Sequence, residues 1–279
     1  MAEPSRAAVL GRPVAHSLSP VLHTAAYRAA GLGDWSYAAH DVGADELGAF
    51  VARLDGSWRG LSLTMPLKEV AFDVATTVTQ TARVTGAVNT LVRRTDLGWD
   101  ADNTDVHGIE AALAEVSHDG SAVLLGGGAT ARSAIVALAR LGVTRLLLAT
   151  RGEARPETLR VAVDSGVVVE VVSLASWGED HGGNGGHGGD QLVVSTLPPE
   201  GALVAAAALG DRPRGGTLMD VVYADWPTPL AQRAERVGMT VVSGLDMLVH
   251  QAAEQFRLFT GRTPPVQAMY AAGRQALGR

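Results

Sequence analysis

The 279-residue sequence contains no cysteine, which excludes disulfide frameworks, thiolate zinc sites and a cysteine nucleophile, and leaves redox chemistry to a borrowed cofactor. It is poor in charge, with 19% charged residues. No run of lysine and arginine appears, and the formal net charge of -6 repels a phosphate backbone or an anionic membrane surface, so general nucleic-acid or membrane binding is not expected. No apolar run approaches the roughly 18 residues of a membrane span. The N-terminal "MAEPSRAAVLG" lacks the apolar core of roughly seven residues or more that a secretory signal carries. The charge balance leads to the expectation of a small-molecule partner, and the lack of a span or secretory signal to that of a cytoplasmic protein; monomer or homodimer is the expected assembly.

What is present is 47% hydrophobic and rich in Ala, Val and Leu, the composition of an α/β globular chain long enough for two cores. From residue 7 to about 103, short β-rich runs ("AAVLG", "WSYAAHDV", "RGLSLTM", "AVNTLVRR") alternate with helical patterns ("PVLHTAAYRAA", "DELGAFVARL"), as βαβ units do. "TDLG", Thr95 to Gly98, reads as the turn of a hairpin. From 121 the alternation restarts with "SAVLLGGG". Its later strands, such as "TRLLLATR" and "QLVVST", carry Val and Leu on consecutive residues, as parallel strands buried on both faces do. "LDMLVHQAAEQFRLFTG" and "PPVQAMYAAGRQALG" read as two closing helices, the second opened by prolines in its first turn. "HGGNGGHGGD", 181 to 190, reads as a flexible surface insertion; loose glycines preorganise nothing, so His181 and His187 are not taken as a metal site.

"VLLGGGATAR" places Gly126, Gly128 and Ala131 in G-x-G-x-x-A spacing where a strand becomes a helix. Glycine lets the backbone turn and approach a pyrophosphate, and the helix N-terminus offers free N–H donors. Alone the motif is weak, and the alternative reading is an ordinary glycine-rich β-to-α turn. The next strand ends not in the carboxylate that would accept from a ribose 2′-hydroxyl but in Thr150 and Arg151, with Arg155 a turn later. Guanidiniums clamp a 2′-phosphate, which predicts NADP over NAD.

"GRPVAHSLSPVLH" sets Ser17 and Ser19 before Pro20 and a helical pattern. Ser19 suits an N-cap with Pro20 at the first helical position, and two hydroxyls at a helix N-terminus also suit a small carboxylate. In "GLSLTMPLKEV", period two puts Ser62 and Thr64 on one strand face and Leu61, Leu63 and Met65 on the other. Pro66 stops strand pairing, so Lys68 emerges just past the strand's carboxyl end, where α/β sheets keep their ligands. A carbonyl reduction needs a group that moves a proton as hydride moves, and burial tunes a lysine towards that task while a nearby carboxylate opposes the shift. "ADNTDVHG" offers Asp105 as its companion. Taken singly, Lys68 also reads as a snorkelling side chain and Asp105 as a helix-start acid.

Over nearly its whole length the sequence resembles the shikimate dehydrogenase family. "HSLSP" is similar to the family's carboxylate-binding loop, which implies Ser17 and Ser19 as substrate ligands. "SLTMPLK" resembles N-V-T-x-P-x-K, implying Thr64 as ligand and Lys68 as catalytic residue, with Ser62 in place of the motif's asparagine. "GAVNTL" and "DNTDVHG" imply Asn89 as ligand and Asp105 as the partner of Lys68, while "GLDMLVHQA" implies Gln251 at the substrate and Gly244 at the cofactor. "GGGATAR", with Gly126, Gly128, Ala129 and Ala131, resembles the family's G-A-G-G-A-x-R. Thr150, Arg151 and Arg155 resemble its 2′-phosphate grip, and Ser195 and Thr196 in "VVSTLP" stand where N-A-T is usual. Tyr223 fits Y-x-P-x-x-T-P-L as a substrate ligand, although Asp225 replaces the first proline.

The resemblance implies a two-domain α/β fold: a substrate-binding domain over 1–105 completed by helices of 244–279, and a Rossmann-like NADP-binding domain over 106–243. It implies NADPH-dependent reduction of 3-dehydroshikimate to shikimate, with both ligands in a cleft between the domains. The rivals are a quinate or quinate/shikimate dehydrogenase and, from another class, a non-catalytic dinucleotide sensor on the same fold.

Overall fold

The computed structural model describes residues 4–179 and 191–278, so the 181–190 stretch lies outside the described residues. The chain divides into two compact units, Met1–Gly108 with Leu248–Arg279, and Ile109–Met247.

The first unit opens with β1 (Ser5–Gly11), α1 (Ser19–Ala29), β2 (Trp35–Asp41), α2 (Leu47–Ala52) and β3 (Trp58–Leu63). β1 is the middle strand of a parallel trio, paired with β2 on one side and β3 on the other. A four-residue helix, α3 (Leu67–Val70), and a 3₁₀ turn (Ala71–Val74) lead to the short β4 (Thr77–Val78) and to α4 (Gln80–Thr85), which Thr79 caps through its side chain. The predicted hairpin is β5 (Thr90–Arg93) and β6 (Trp99–Asp102), antiparallel, with Leu97 in left-handed backbone at its turn. β5 runs antiparallel to β3, completing the sheet order β2-β1-β3-β5-β6-β4. Because β5 is reversed, its first residue, Thr90, pairs with Ser62 near the carboxyl end of β3 and with Asp102 at the end of β6. One edge of the sheet thereby collects the chain after β1, after β3, before β5 and after β6, and α5 (Thr104–Leu113) starts there.

The second unit runs β7 (Ser121–Leu125), α6 (Ala129–Arg140), β8 (Arg145–Thr150), α7 (Pro156–Asp164), β9 (Val168–Ser173), β10 (Leu192–Ser195), α8 (Pro199–Leu209), β11 (Thr217–Asp220), α9 (Pro229–Arg236) and β12 (Thr240–Ser243), strand and helix alternating except between β9 and β10 among the described residues. All pairings are parallel, in the order β12-β11-β10-β7-β8-β9. Read from the other end this is 3-2-1-4-5-6, the doubly wound dinucleotide-binding order, with its switch point between β7 and β10. Those strands and β8 are buried almost throughout, as consecutive Val and Leu require.

The chain closes with α10 (Gly244–Thr260) and α11 (Val266–Ala276). The prolines stand just before α11 rather than in its first turn: Pro265 is the N-cap, with a ψ of 71° that lies outside the helical range. No helix of the described residues is long and apolar enough to cross a membrane.

Candidate active site

Lys68 follows β3 by five residues, on α3. Its Nζ lies 2.5 Å from Asp105 Oδ2, and the two side chains are 15% and 7% exposed. Local bonds bring them together. Val88 N–H donates to the Lys68 carbonyl at 2.7 Å and Leu63 N–H to the Asn89 carbonyl at 2.7 Å, which ties the helix and strand before the proline to the start of β5. Asn103 Oδ1 accepts from Asp105 N–H at 3.1 Å, capping the start of α5, while its Nδ2 donates to the Ala87 carbonyl at 2.9 Å. The N-T and N-T-D motifs are thus stitched to one another by their own asparagines.

Asn89 sits at the centre. Its Nδ2 donates to Asp105 Oδ1 at 2.7 Å and approaches Gln251 Oε1 at 3.5 Å, so the structure brings Lys68, Asp105, Asn89 and Gln251 together. Thr64 directly follows β3, its N–H donating to the Leu10 carbonyl at 2.9 Å. Its methyl lies against Gly11, where an added Cβ would overlap it.

Two expectations need correction. Ser19 does not cap α1: the N-cap is Leu18, with no side-chain cap bond, and Ser19 N–H instead donates to Ser17 Oγ at 3.3 Å. The helix begins at Ser19, so its hydroxyl is turned elsewhere, into hydrogen-bond contact with the buried Tyr37 phenol. Met65 does not continue the buried face of Leu61 and Leu63; it is 68% exposed, because β3 ends at Leu63 and the Thr64 carbonyl already accepts from Leu67 N–H as the chain turns into α3.

In the second unit the named residues lie at the carboxyl ends of the parallel strands. Gly126 leaves β7 with φ of 110°, and a Cβ there would stand 2.6 Å from Thr196 Oγ1, so only glycine fits the turn. Gly128 is the N-cap of α6 and supplies no side-chain cap, which leaves the N–H groups that begin at Ala129 turned to an open cradle, while Ala131 is buried. Thr150 Oγ1 donates to the Gly152 carbonyl at 2.6 Å, and Arg151 and Arg155 are exposed. Thr158 Oγ1 donates to the Gly127 carbonyl at 2.9 Å, holding α7 to the glycine turn. Thr196 Oγ1 donates to the Leu125 carbonyl at 3.0 Å, whereas Ser195 is fully buried beside Asp220. Gly244 starts α10 so close to the Val221 backbone that a Cβ would overlap it. A small-residue cradle at a helix N-terminus followed by two exposed guanidiniums suits a phosphorylated dinucleotide.

Asp220, which the motifs did not single out, organises the segment that carries Tyr223. Buried at the end of β11, it accepts from Thr228 Oγ1 at 2.7 Å and Val222 N–H at 3.2 Å, and burial raises its carboxyl above the usual range. Its signal in the sequence was only an acid closing an apolar strand.

Comparison with known proteins points to one family. Residues 9–91 match the family model described as shikimate dehydrogenase substrate binding domain, and 244–272 that described as shikimate 5'-dehydrogenase C-terminal domain. The chain is 34% identical to shikimate dehydrogenase (NADP(+)) of Synechococcus sp. (strain JA-3-3Ab) over 97% of this chain and 94% of that protein. Shikimate dehydrogenase of Mycobacterium tuberculosis superposes with TM-score 0.85 at 41% identity, covering 98% of this chain and 100% of that one. The Thermus thermophilus shikimate 5-dehydrogenase solved with NADP(H) and shikimate gives 0.81 at 31%, covering 98% and 100%.

Proposed function

The chain belongs to the shikimate dehydrogenase family, and from that premise we propose that Lys68 and Asp105 handle the proton of its reaction. It is an NADP-dependent oxidoreductase that interconverts 3-dehydroshikimate and shikimate, a step towards the aromatic amino acids. NADPH, when bound, supplies the hydride. The observation that carries the residue assignment is the 2.5 Å contact between Lys68 Nζ and Asp105 Oδ2 in a largely buried setting.

In the reducing direction the Lys68 ammonium gives a proton to the C3 oxygen as that carbon is reduced, and in the oxidising direction the amine takes it back. Asp105 orients the ammonium and shares its charge, and Asn89 fixes the carboxylate by binding its other oxygen. Asn89, Gln251 and Thr64 are assigned to the substrate as ligands, and Ser17 and Ser19 to its carboxylate. Tyr223 is assigned to the same substrate from its loop. On the cofactor side, Gly126, Gly128, Ala129 and Ala131 form the pyrophosphate turn, Thr150, Arg151 and Arg155 the 2′-phosphate grip, and Thr196 and Gly244 the remaining wall; Ser195, expected at the cofactor, is fully buried beside Asp220 and stands behind that wall instead. The first unit is the substrate-binding domain and the second the cofactor-binding domain. A reductase drawing on a soluble cofactor belongs in the cytoplasm, as a monomer or homodimer.

The decisive experiment compares initial rates with shikimate against quinate, and with NADP against NAD. Shikimate and NADP are the expected preferred pair, and a clear preference for quinate or NAD overturns the assignment.

A further inference from the structure

Two main-chain groups fix the direction of a series of side-chain hydrogen bonds beneath the Lys68–Asp105 pair. Thr104 N–H can only donate, and Asn89 Oδ1 accepts it at 2.7 Å, so the other end of that amide, Nδ2, faces Asp105. The Asn89 carbonyl can only accept, and Gln255 Nε2 donates to it at 3.3 Å and to Thr90 Oγ1 at 2.9 Å. Gln255 Oε1 therefore faces the opposite way, where Ser62 Oγ donates to it at 2.7 Å. With the Ser62 hydrogen committed to Gln255, the 2.6 Å contact between the Tyr37 phenol and Ser62 Oγ is a donation from the tyrosine. Thr90 donates in turn to Asn89 Oδ1 at 2.7 Å. From Tyr37 through Ser62, Gln255, Thr90 and Asn89, every donor points towards the Asp105 carboxylate, the arrangement in which successive hydrogen bonds polarise one another.

The series is buried: Tyr37 is 9% exposed, Ser62 4%, Gln255 1% and Asn89 2%. Tyr37 on β2 reaches past β1 to Ser62 on β3, its ring stacked on His23 at 4.1 Å. Its phenol also touches the Ser19 hydroxyl, so the series begins at the serine loop and ends at the proton-handling pair. Ser62 stands where the family motif has asparagine. A serine is too short to bridge β2 and α10 alone, and Tyr37 and Gln255 complete the span.

We propose that Tyr37, Ser62 and Gln255 are positioning residues for the reaction: through Thr90 and Asn89 they hold the Asp105 carboxylate in the one orientation that presents Lys68 to the substrate. The inference rests on the assignment of Lys68 and Asp105 above. Steady-state kinetics with shikimate and NADP on the full chain test it, using Tyr37→Phe, Ser62→Ala, Ser62→Thr and the Tyr37→Phe/Ser62→Ala double variant.

Tyr37→Phe and Ser62→Ala each lower kcat roughly 3- to 10-fold, the rate equivalent of one neutral hydrogen bond, and leave the KM for NADP unchanged. The double variant is no slower than the slower single one, because both interrupt one series. Ser62→Thr, which keeps the hydroxyl, retains parental kcat. The D2O effect on kcat rises in Tyr37→Phe, since the slowed step moves a proton, and a loss of packing alone would not produce that rise. If Ser62→Ala does not fold, the kcat and isotope effect of Tyr37→Phe decide alone. A Tyr37→Phe enzyme with parental kcat and isotope effect, or effects that multiply in the double variant, overturn the inference while the assignment of Lys68 and Asp105 stands. Absence of shikimate turnover by the parent enzyme overturns both.

Discussion

Asp105 binds Lys68 at 2.5 Å with one oxygen and Asn89 at 2.7 Å with the other, so each partner restrains the carboxylate that restrains the lysine. Lys68→Ala removes the group that reaches the substrate oxygen and leaves the carboxylate scaffold in place. The expected result is a fall in kcat of at least about 100-fold with little change in KM, measured by steady-state kinetics; an unchanged kcat would remove the lysine from the chemistry. At the other ligand, Arg151→Ala deletes a charge-assisted contact of about 1.5–3 kcal/mol, so NADP affinity drops by roughly 10- to 150-fold while NAD affinity holds. Titrating both cofactors into the variant tests this, and equal losses would count against the phosphate grip. The pairing of Lys68 with Asp105 was readable because each lies in a short motif whose neighbours act locally. The Tyr37–Ser62–Gln255 series was not, because Ser62 and Gln255 are separated by 193 positions and no period or spacing marks such a contact. Ser19 misled for a related reason: a serine before a proline looks the same whether it caps the helix or begins it.

Gly60 on β3 shows what an element demands of a residue that carries no chemistry. A register shift between Arg6 and Ala7 of β1 pairs Ala7 with Gly60, and the space over Gly60 is filled by the Phe259 ring of α10, which an added Cβ would overlap. Gly60→Ala is expected to cost about 1–3 kcal/mol by overpacking, measured as a lower urea midpoint. Phe259→Leu in the same chain should recover part of the loss. Recovery of nothing would place the cost in the backbone instead. The long elements were legible because each has room to express its period: β7, β8 and β10 in unbroken apolar runs, α6 and α10 in stripes. α3 and β4 were not, since four and two residues span too little chain to show any period, and what sets them is the Lys68 carbonyl bond to Val88 and the pairing of β4 with β6.

For the molecule as a whole, His23 makes folding sensitive to acid. It lies fully buried on α1 between the rings of Tyr37 and Phe259, with neither ring nitrogen in a well-formed hydrogen bond. Burial lowers its imidazole from 6.5 to about 3, against a smaller opposing contact with Gln255. Well above pH 6.5 the ring is neutral in both folded and unfolded chains, and its protonation adds no pH dependence. Between 6.5 and about 3 the unfolded chain binds a proton that the folded one refuses, so stability falls as pH falls through that window. The exposed carboxylates of Glu46, Asp55 and Asp96 are held below their usual range by nearby donors and add their own losses only at lower pH. Asp220, raised by burial, acts in the opposite sense but equally in any His23 variant. His23→Leu keeps the volume nearly constant and removes the titration. Urea unfolding of both proteins at pH 7 and pH 5 should show the parent losing about 2 kcal/mol more than the variant between the two conditions, the linkage expected for a site that titrates at 6.5 unfolded and about 3 folded. Equal losses would mean that the imidazole is hydrated or already charged in the folded chain, and the acid sensitivity would then have to come from the carboxylates.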